Sequence, residues 1–508
     1  MAFEHGVRVL EQPTSLVAPV LGTAGLQVVF GTAPVNLADD PYNVTNKPII
    51  AYSWAEAVSQ LGYSEEKDSI GHYLYTLCAS MYASFQLVGV APVVFVNVLD
   101  PTKHKKKNDP AEVAVEDMEA TVPITGILRD TVAVKFSNSE GTQVALKENE
   151  DYILTFDDDG YLKITLVASG AGAKAAKLTV DSTSIDPTAL DEDDVIGVSA
   201  AGGEKGMEVV RQVYPKLGMT PGLLLAPGWS HIPDVGIVLA AKCQEINGYF
   251  NCEGFVDIDS TATGCTRYSD VKTAKEAAGC TNKRIMALWP CIQVGSRKFW
   301  YSAIMGAVTA YVDAINDDVP SVSPSNQMIG VTGTVLADAV YTPKEGGTGG
   351  TWDKEVVLDQ LQGNAVNSVG VTTAINVTGW RTWGNRTAAY PANTDPKDMW
   401  FCCRRFFSWW GNSFILTYFQ KVDNPGNRRL IETIVDTENK RGEAYVADEK
   451  CARAEIEFIP GENPVTNLID GKLRFHQHLT PYPPAEDIHN ILEFDPYALE
   501  SALAAAAD

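Results

Sequence analysis

Two rhythms of apolar residues divide the chain. From residue 25 to 99, and again from 207 to 385, short apolar runs alternate with segments whose apolar side chains recur every three or four positions. Gly25-Leu-Gln-Val-Val-Phe-Gly and Ala91-Pro-Val-Val-Phe-Val-Asn-Val-Leu are continuous apolar runs, the mark of strands covered on both faces. Between them, Ser53-Trp-Ala-Glu56 has capping-box spacing and predicts a helix that stops at Gly62. A longer helix is predicted over 69–85. Farther on, strands are predicted at 222–227, 255–259 and 283–289, each followed by a helix, at 234–247, 269–278 and 301–316. Alternation at this spacing predicts a mainly parallel sheet with helices on both faces. The expected α/β domain comprises residues 13–100 and 203–385.

Between 101 and 202 the helical period disappears. A charged, proline-bounded linker opens at Asp100, and Gly202-Gly203 marks the exit. Short alternating runs at 131–136, 152–156, 161–167 and 177–180 are separated by turns such as Asp157-Asp-Asp-Gly160. They predict a small β-sandwich inserted into the α/β domain. From 386 to 486 the pattern predicts a C-terminal α+β domain, with helices over 398–421 and 427–443 and strands near 454–459 and 472–479. A last strand near 488–494, with Ile488, Ile491, Leu492 and Phe494, belongs to a C-terminal arm over 487–508, whose Ala-rich end reads as a frayed helix. At the other end, Val7, Arg8, Val9 and Leu10 alternate in a short isolated strand within an N-terminal arm over 1–12.

Charge refines this picture. The formal net charge is −24, which argues against a nucleic-acid binder and against an anionic membrane surface as partner. Residues 108–200 hold nineteen acidic and six basic residues, a net of −13, whereas residues 399–450 have a net of +1. The most apolar stretch, 399–419, contains Arg404 and Arg405, and two central arginines are too costly in a bilayer. No basic region followed by an apolar one opens the chain, so no secretory leader is read there. Nine cysteines lack metal spacing and read as reduced, buried thiols.

Candidate chemistry is sparse. Asp257 and Asp259 close a strand, where α/β enzymes place acids. His231 is the sole histidine between 105 and 475, and no Gly-x-Ser-x-Gly elbow is present, so helix capping or solvation explains these aspartates better than catalysis. Gly202-Gly-Glu-Lys-Gly-Met lacks a phosphate-loop ending and reads as a junction. His476 and His478 share a strand face without a third ligand. Gly346-Gly-Thr-Gly-Gly is expected to be a surface loop. No cofactor, metal or catalytic group is expected.

The most specific segment runs from Leu361-Gln-Gly-Asn364-Ala-Val-Asn367-Ser-Val-Gly370 to Gly379-Trp-Arg-Thr-Trp383-Gly384-Asn385-Arg386-Thr387. A helix end near Gly370, a strand, and a turn leading to a second strand are expected there. With Leu479-Thr-Pro-Tyr-Pro-Pro-Ala-Glu486-Asp-Ile488, it resembles the signature of the tail sheath proteins of contractile-tailed bacteriophages. The resemblance implies a non-enzymatic, polymer-forming protein with a central domain of subtilisin-like topology. It implies partners: further copies of the chain in hexameric rings, an inner tail tube protein, and baseplate and tail terminator proteins. A phage virion is the leading context, a contractile bacteriocin or injection particle the alternative, and a cytoplasmic α/β enzyme the distant third reading. Trp383, Gly384, Asn385, Arg386 and Thr387 would organise a domain junction, with Arg386 bonded to backbone or carboxylate. The arm strands would pair with neighbouring subunits. Arg404, Arg405, Lys421, Arg428, Arg429, Lys440 and Arg441 would face the tube. A competing reading pairs Arg404 and Arg405 with carboxylates inside the subunit, which the acids Glu432, Asp436 and Glu438 make possible.

Overall fold

A computed structural model describes residues 20–21, 23–138, 141–345 and 349–504 of the 508. The expected strand with Val7, Arg8, Val9 and Leu10 lies outside the described residues, as does the centre of the glycine loop at 346–348. The first part of the chain forms β1 (Gln27–Gly31), β2 (Pro48–Ala51), α1 (Trp54–Leu61), α2 (Thr76–Met81) and β3 (Val93–Asn97). Ser53 caps α1: its Oγ accepts the Glu56 N–H, while the Glu56 carboxylate reaches back to the Tyr52 N–H. The expected helix over 69–85 begins only at Thr76. Asp68 Oδ1 accepts the N–H groups of Ile70 and His72, which fixes a tight turn where the helix was expected to start. At its other end α2 widens into a π-helical turn, Tyr82–Val88.

The insertion contains β4 (Ala111–Ala114), β5 (Glu119–Val122), β6 (Ala133–Ser137), β7 (Gln143–Ala145), β8 (Tyr152–Phe156), β9 (Leu162–Leu166) and β10 (Lys177–Asp181). They form two antiparallel sheets, in the orders β7-β6-β10-β4 and β8-β9-β5. Alternate residues, such as Leu162, Ile164 and Leu166 on β9, enclose a core separate from that of the main body. The chain enters and leaves through a stem in which Lys105–Lys107 pairs antiparallel with Thr183–Ile185.

The chain then returns to the α/β pattern with α3 (Val210–Leu217), β11 (Leu223–Leu225), α4 (Pro233–Lys242), β12 (Glu253–Asp257), α5 (Val271–Ala277), β13 (Ile285–Leu288) and α6 (Tyr301–Ile315). After an excursion of short strands come α7 (Gln360–Asn367), β14 (Val371–Asn376) and β15 (Trp380–Trp383). One eight-stranded sheet has the order β15-β14-β13-β12-β11-β1-β3-β2. Its inner pairs are parallel, and β2 and β15 close the edges antiparallel. Every residue of β1, β3, β11, β12 and β13 is buried, as the unbroken apolar runs require of strands covered on both faces. The chain is thus mixed α/β, as its rhythm predicts.

The last part comprises α8 (Phe401–Tyr418), α9 (Arg428–Ala447), β16 (Cys451–Glu457), β17 (His476–Pro481) and α10 (Pro496–Ala504). One expectation fails here. The second strand of the signature lies before Gly384 and not after Thr387, because the chain turns at Gly384 to run beside the start of α8. Residues 488–494, expected to pair with a neighbouring subunit, have no strand beside them within the described subunit.

Helix α8 joins this part to the α/β body through buried charge. Arg405 makes a two-pronged ion pair with Asp313 of α6, and both side chains are essentially dry. Arg404 donates to Asp398 at 2.9 Å, and Asp398 also accepts from Lys283. Glu253 of β12 takes Arg284 at 3.2 Å and the Ser408 hydroxyl at 2.6 Å. Removing one member of a buried pair leaves the other uncompensated, a cost of about 3–5 kcal/mol. Arg405→Ala is expected to lose stability of that order in urea denaturation. A joint Arg405→Met, Asp313→Leu replacement, which strands no charge, is expected to recover most of it.

Candidate functional site

The signature segment is a seat for the start of α8. Trp383 ends the edge strand β15, and its indole N–H donates to Asn364 of α7 at 2.9 Å. Gly384 follows with φ +135°; a Cβ there would lie 2.8 Å from the Thr372 backbone and 2.7 Å from the Asn367 side chain. Only glycine fits this approach. The next three residues run antiparallel to 398–401. The Asn385 carbonyl accepts the Phe401 N–H at 2.9 Å, and the Thr387 N–H donates to the Met399 carbonyl at 2.9 Å. The Thr387 hydroxyl donates to the Asp398 carbonyl at 2.6 Å. The first turn of α8 is thereby fixed by backbone pairing.

Arg386 projects from the centre of this seat. Its guanidinium lies 3.7 Å from the Trp400 ring centre and 4.4 Å from that of Tyr390. It grips Glu486 with two parallel hydrogen bonds, Nε to Oε1 at 3.1 Å and Nη2 to Oε2. A planar cation between aromatic rings and a carboxylate uses both properties that distinguish arginine from lysine. The clamp joins the two signature segments, which are a hundred residues apart. Lys275, which the sequence reading did not single out, supports it from α5. Its ammonium donates to the Val369 and Tyr390 carbonyls, both at 2.7 Å, and burial pushes its pKa down to about 8. The amphipathic pattern of α5 gives no sign of this role, because the acceptors are main-chain groups distant in sequence.

The basic residues expected to face a partner fall into two groups. Arg404 and Arg405 are buried within the subunit and paired as described, so they do not reach the surface. Their partners are Asp398, Glu253 and Asp313, and not the acids of α9. Arg441 is also turned inward, over the Trp410 ring at 4.2 Å and beside Glu438 at 3.4 Å. Arg428, Arg429 and Lys440 are exposed on α9, and Lys421 is half-buried at the end of the α8 segment. The C-terminal segment is strongly exposed: Ile488, Ile491, Leu492 and Phe494 have relative exposures of 84%, 90%, 88% and 76%.

The groups considered for chemistry have structural partners. Asp257 accepts the Ser302 N–H at 2.9 Å at the start of α6, and hydroxyl hydrogen bonds from Ser302 and Ser230. Burial pushes its pKa up to about 6, against the pull of these bonds. His231 stacks on Trp300 with ring centres 4.2 Å apart. His476 and His478 pair with Glu462 and Glu457. Among the described residues, no three His, Cys, Asp or Glu side chains group to hold a metal, and no helix is long and apolar enough to cross a membrane. Ala201-Gly202 turns a two-stranded hairpin, Ser199–Ala200 with Gly203–Glu204.

Comparison with known proteins places this geometry. No protein-family model matches the chain. Over 500 residues it is 26% identical to the tail sheath protein of Burkholderia phage BcepMu, covering 95% of this chain and 94% of that one. The chain is similar in sequence to phage tail sheath proteins. The tail sheath protein of Escherichia phage P2 is 25% identical over 309 residues, 58% of this chain and 68% of its own. In fold, the chain is similar to a chain of the contracted sheath complex of the extracellular contractile injection system PVC. The TM-score is 0.55 at 14% identity, over 98% and 99% of the two chains. A chain of the six-fold symmetrised baseplate of the anti-feeding prophage gives a TM-score of 0.57 at 13% identity, over 96% and 98%. Coverage of 95% leaves no room for the tail sheath likeness to skip the α/β body, the insertion or the C-terminal part.

Losing the clamp should not cost the same from either side. Arg386 is nearly buried and stacked, whereas Glu486 is 42% exposed. Arg386→Ala is expected to cost about 1–3 kcal/mol in urea denaturation and to speed amide exchange at 398–401. Glu486→Gln, acting on a partly solvated pair, is expected to cost less than about 1 kcal/mol.

Proposed function

We propose that the chain is the structural subunit of a contractile tail sheath, polymerising as stacked hexameric rings around an inner tail tube. Contraction drives the tube through a host envelope. The observation that carries this reading is the end-to-end likeness to a phage tail sheath protein. The location is then a virion tail, with a bacteriocin or injection particle as the same mechanics around another cargo. The particle's further partners are baseplate and tail terminator proteins. The subunit performs no catalysis: the extended polymer is kinetically trapped, and conversion passes from neighbour to neighbour.

Within this reading the signature marks the junction between a subtilisin-like body, residues 13–100 and 203–385, and a C-terminal domain, residues 386–486. The β-sandwich at 101–202 stands on the outer surface. Its acidic excess makes a site between tube and sheath costly. The arms at 1–12 and 487–508 pair with strands of adjacent subunits and keep rings connected as they rotate. An apolar, solvent-facing segment at 488–494 suits strand addition, in which several main-chain hydrogen bonds form in parallel. Lys421, Arg428, Arg429 and Lys440 supply the tube contact, through ion pairs weak enough to release on contraction.

The full-length chain is expected to form long hollow tubes in negative-stain microscopy. A chain ending at residue 486 is expected to stay folded and soluble without forming them, and tubes of normal length from it would remove the C-terminal arm from assembly. Arg428→Glu with Arg429→Glu is expected to weaken assembly on the inner tube while leaving the thermal melt unchanged. The wild-type interaction is expected to weaken as salt rises. Normal tube-filled particles from the double variant would exclude both residues from the contact.

A further inference from the structure

The nine cysteines are free and buried, and two of them, Cys243 and Cys252, are joined across a turn by a main-chain hydrogen bond. Cys243 caps the C-terminal end of α4, and Cys252 immediately precedes β12. The intervening turn is held by the Ile246–Phe250 bridge. The Cys252 N–H donates to the Cys243 carbonyl at 2.9 Å. The two main chains are therefore one hydrogen bond apart, the kind of spacing a disulfide bridges, with Cα atoms typically about 5.5–6 Å apart. The Cys243 thiol donates to the Leu239 carbonyl at 3.3 Å and lies close enough to the Cys252 thiol for the two to interact electrostatically. Gly254 leaves the room this needs: a Cβ there would stand 3.1 Å from the Cys243 sulfur.

Cys252 also lines a cavity of about 320 Å³ bounded by Thr220, Asn251, Arg405, Asn412 and Leu416. Cys252 is only 1% exposed, so this cavity is the side from which a small reagent would approach it. Cys402 and Cys403 make an instructive contrast. They are neighbours in sequence, but successive side chains on a helix point about 100° apart, so closing them would break α8.

We propose that Cys243 and Cys252 are an oxidative crosslinking site closed by hydrogen peroxide. The Cys252 thiolate attacks one peroxide oxygen, the O–O bond breaks, and the hydroxide released takes up a proton to become water. The resulting sulfenic acid is attacked by the Cys243 sulfur, which gives up its proton. The S–S bond forms and the second oxygen leaves as water. Two thiols lose two electrons in total, and one peroxide becomes two waters. Burial raises the Cys252 thiol well above its ordinary range, so the reaction is slow at neutral pH and quickens as pH rises.

The closed bond ties the end of α4 to the start of β12. It stiffens the turn on which α8 rests, where Asn412 exchanges two hydrogen bonds with the Asn251 backbone. A particle leaving a reducing cytoplasm would meet the conditions that close it. The site itself rests on the geometry alone and not on the function proposed above.

The test uses the folded full-length chain, purified with a reductant and then exposed to peroxide at pH 8.5. The sample is alkylated in denaturant and weighed intact. Seven alkylated cysteines of the nine are expected, and the peptide map should join the fragments holding Cys243 and Cys252. The rate is expected to rise about tenfold per pH unit below the thiol pKa. The melting temperature should rise on closure and fall back with a phosphine reductant. Cys243→Ser and Cys252→Ser should each abolish the crosslink, and Cys402→Ser should keep it. The wild-type peptide map decides the matter even where a variant folds poorly. Nine alkylated thiols after full exposure, a crosslink between another pair, or a lowered melting temperature would each overturn the proposal.

Discussion

Charge without water is the condition around which the second half of this molecule is arranged. Helix α8 is apolar over most of its surface, yet it carries two guanidinium groups into the interior. Each must meet an acid there or raise the energy of the fold by several kcal/mol. Asp313 comes from the last turn of α6, Glu253 from the first residue of a central strand, and Asp398 from the turn before α8 itself. One position of the helix satisfies all three at once. The remainder of the C-terminal part, α9 and the β16–β17 hairpin, packs on a helix whose place is already set.

The signature seat acts on the same helix from outside. Asn385 and Thr387 offer main-chain and hydroxyl groups to the first residues of α8, while Arg386 closes over Trp400 and reaches Glu486. Interior ion pairs thus fix where the helix lies, and the seat fixes where it begins. The clamp also tethers a segment that otherwise runs across solvent, just before its exposed apolar residues.

Much of this was legible in the sequence, because period reports burial. The unbroken apolar runs at 25–31 and 91–99 became inner strands β1 and β3, and the alternating runs of the insertion became strands with one buried face. Partners were harder to read. Arg404 and Arg405 stand in a locally basic stretch and invite a surface role, but Asp313 and Glu253 lie far away in sequence, and only Asp398 is near. Lys275 bonds only to carbonyls, which leave no trace in side-chain pattern. The strand expected at 488–494 shows the other side of this: alternation describes a segment's willingness to pair, while a strand requires a second segment alongside, which the subunit by itself does not supply. The late start of α2 was decided by a single side chain, since Asp68 offered the backbone a better local turn than a helix did.

The stem of the insertion has a wider consequence. Lys105–Lys107 and Thr183–Ile185 lie side by side, so the chain leaves the α/β body and returns to it at nearly the same point. The sheets beyond the stem enclose their own core and take no strand from the body. The two sheets are therefore free to drift in length and sequence, whereas the 125–130 turn is not: Leu128 joins the body's core, and Thr125 and Asp130 bond Glu66 and Tyr42. Such a doorway makes the insertion an evolutionary variable on a fixed frame. A foreign domain whose ends lie as close together would meet the same geometric demand, which makes this position a natural place for grafting.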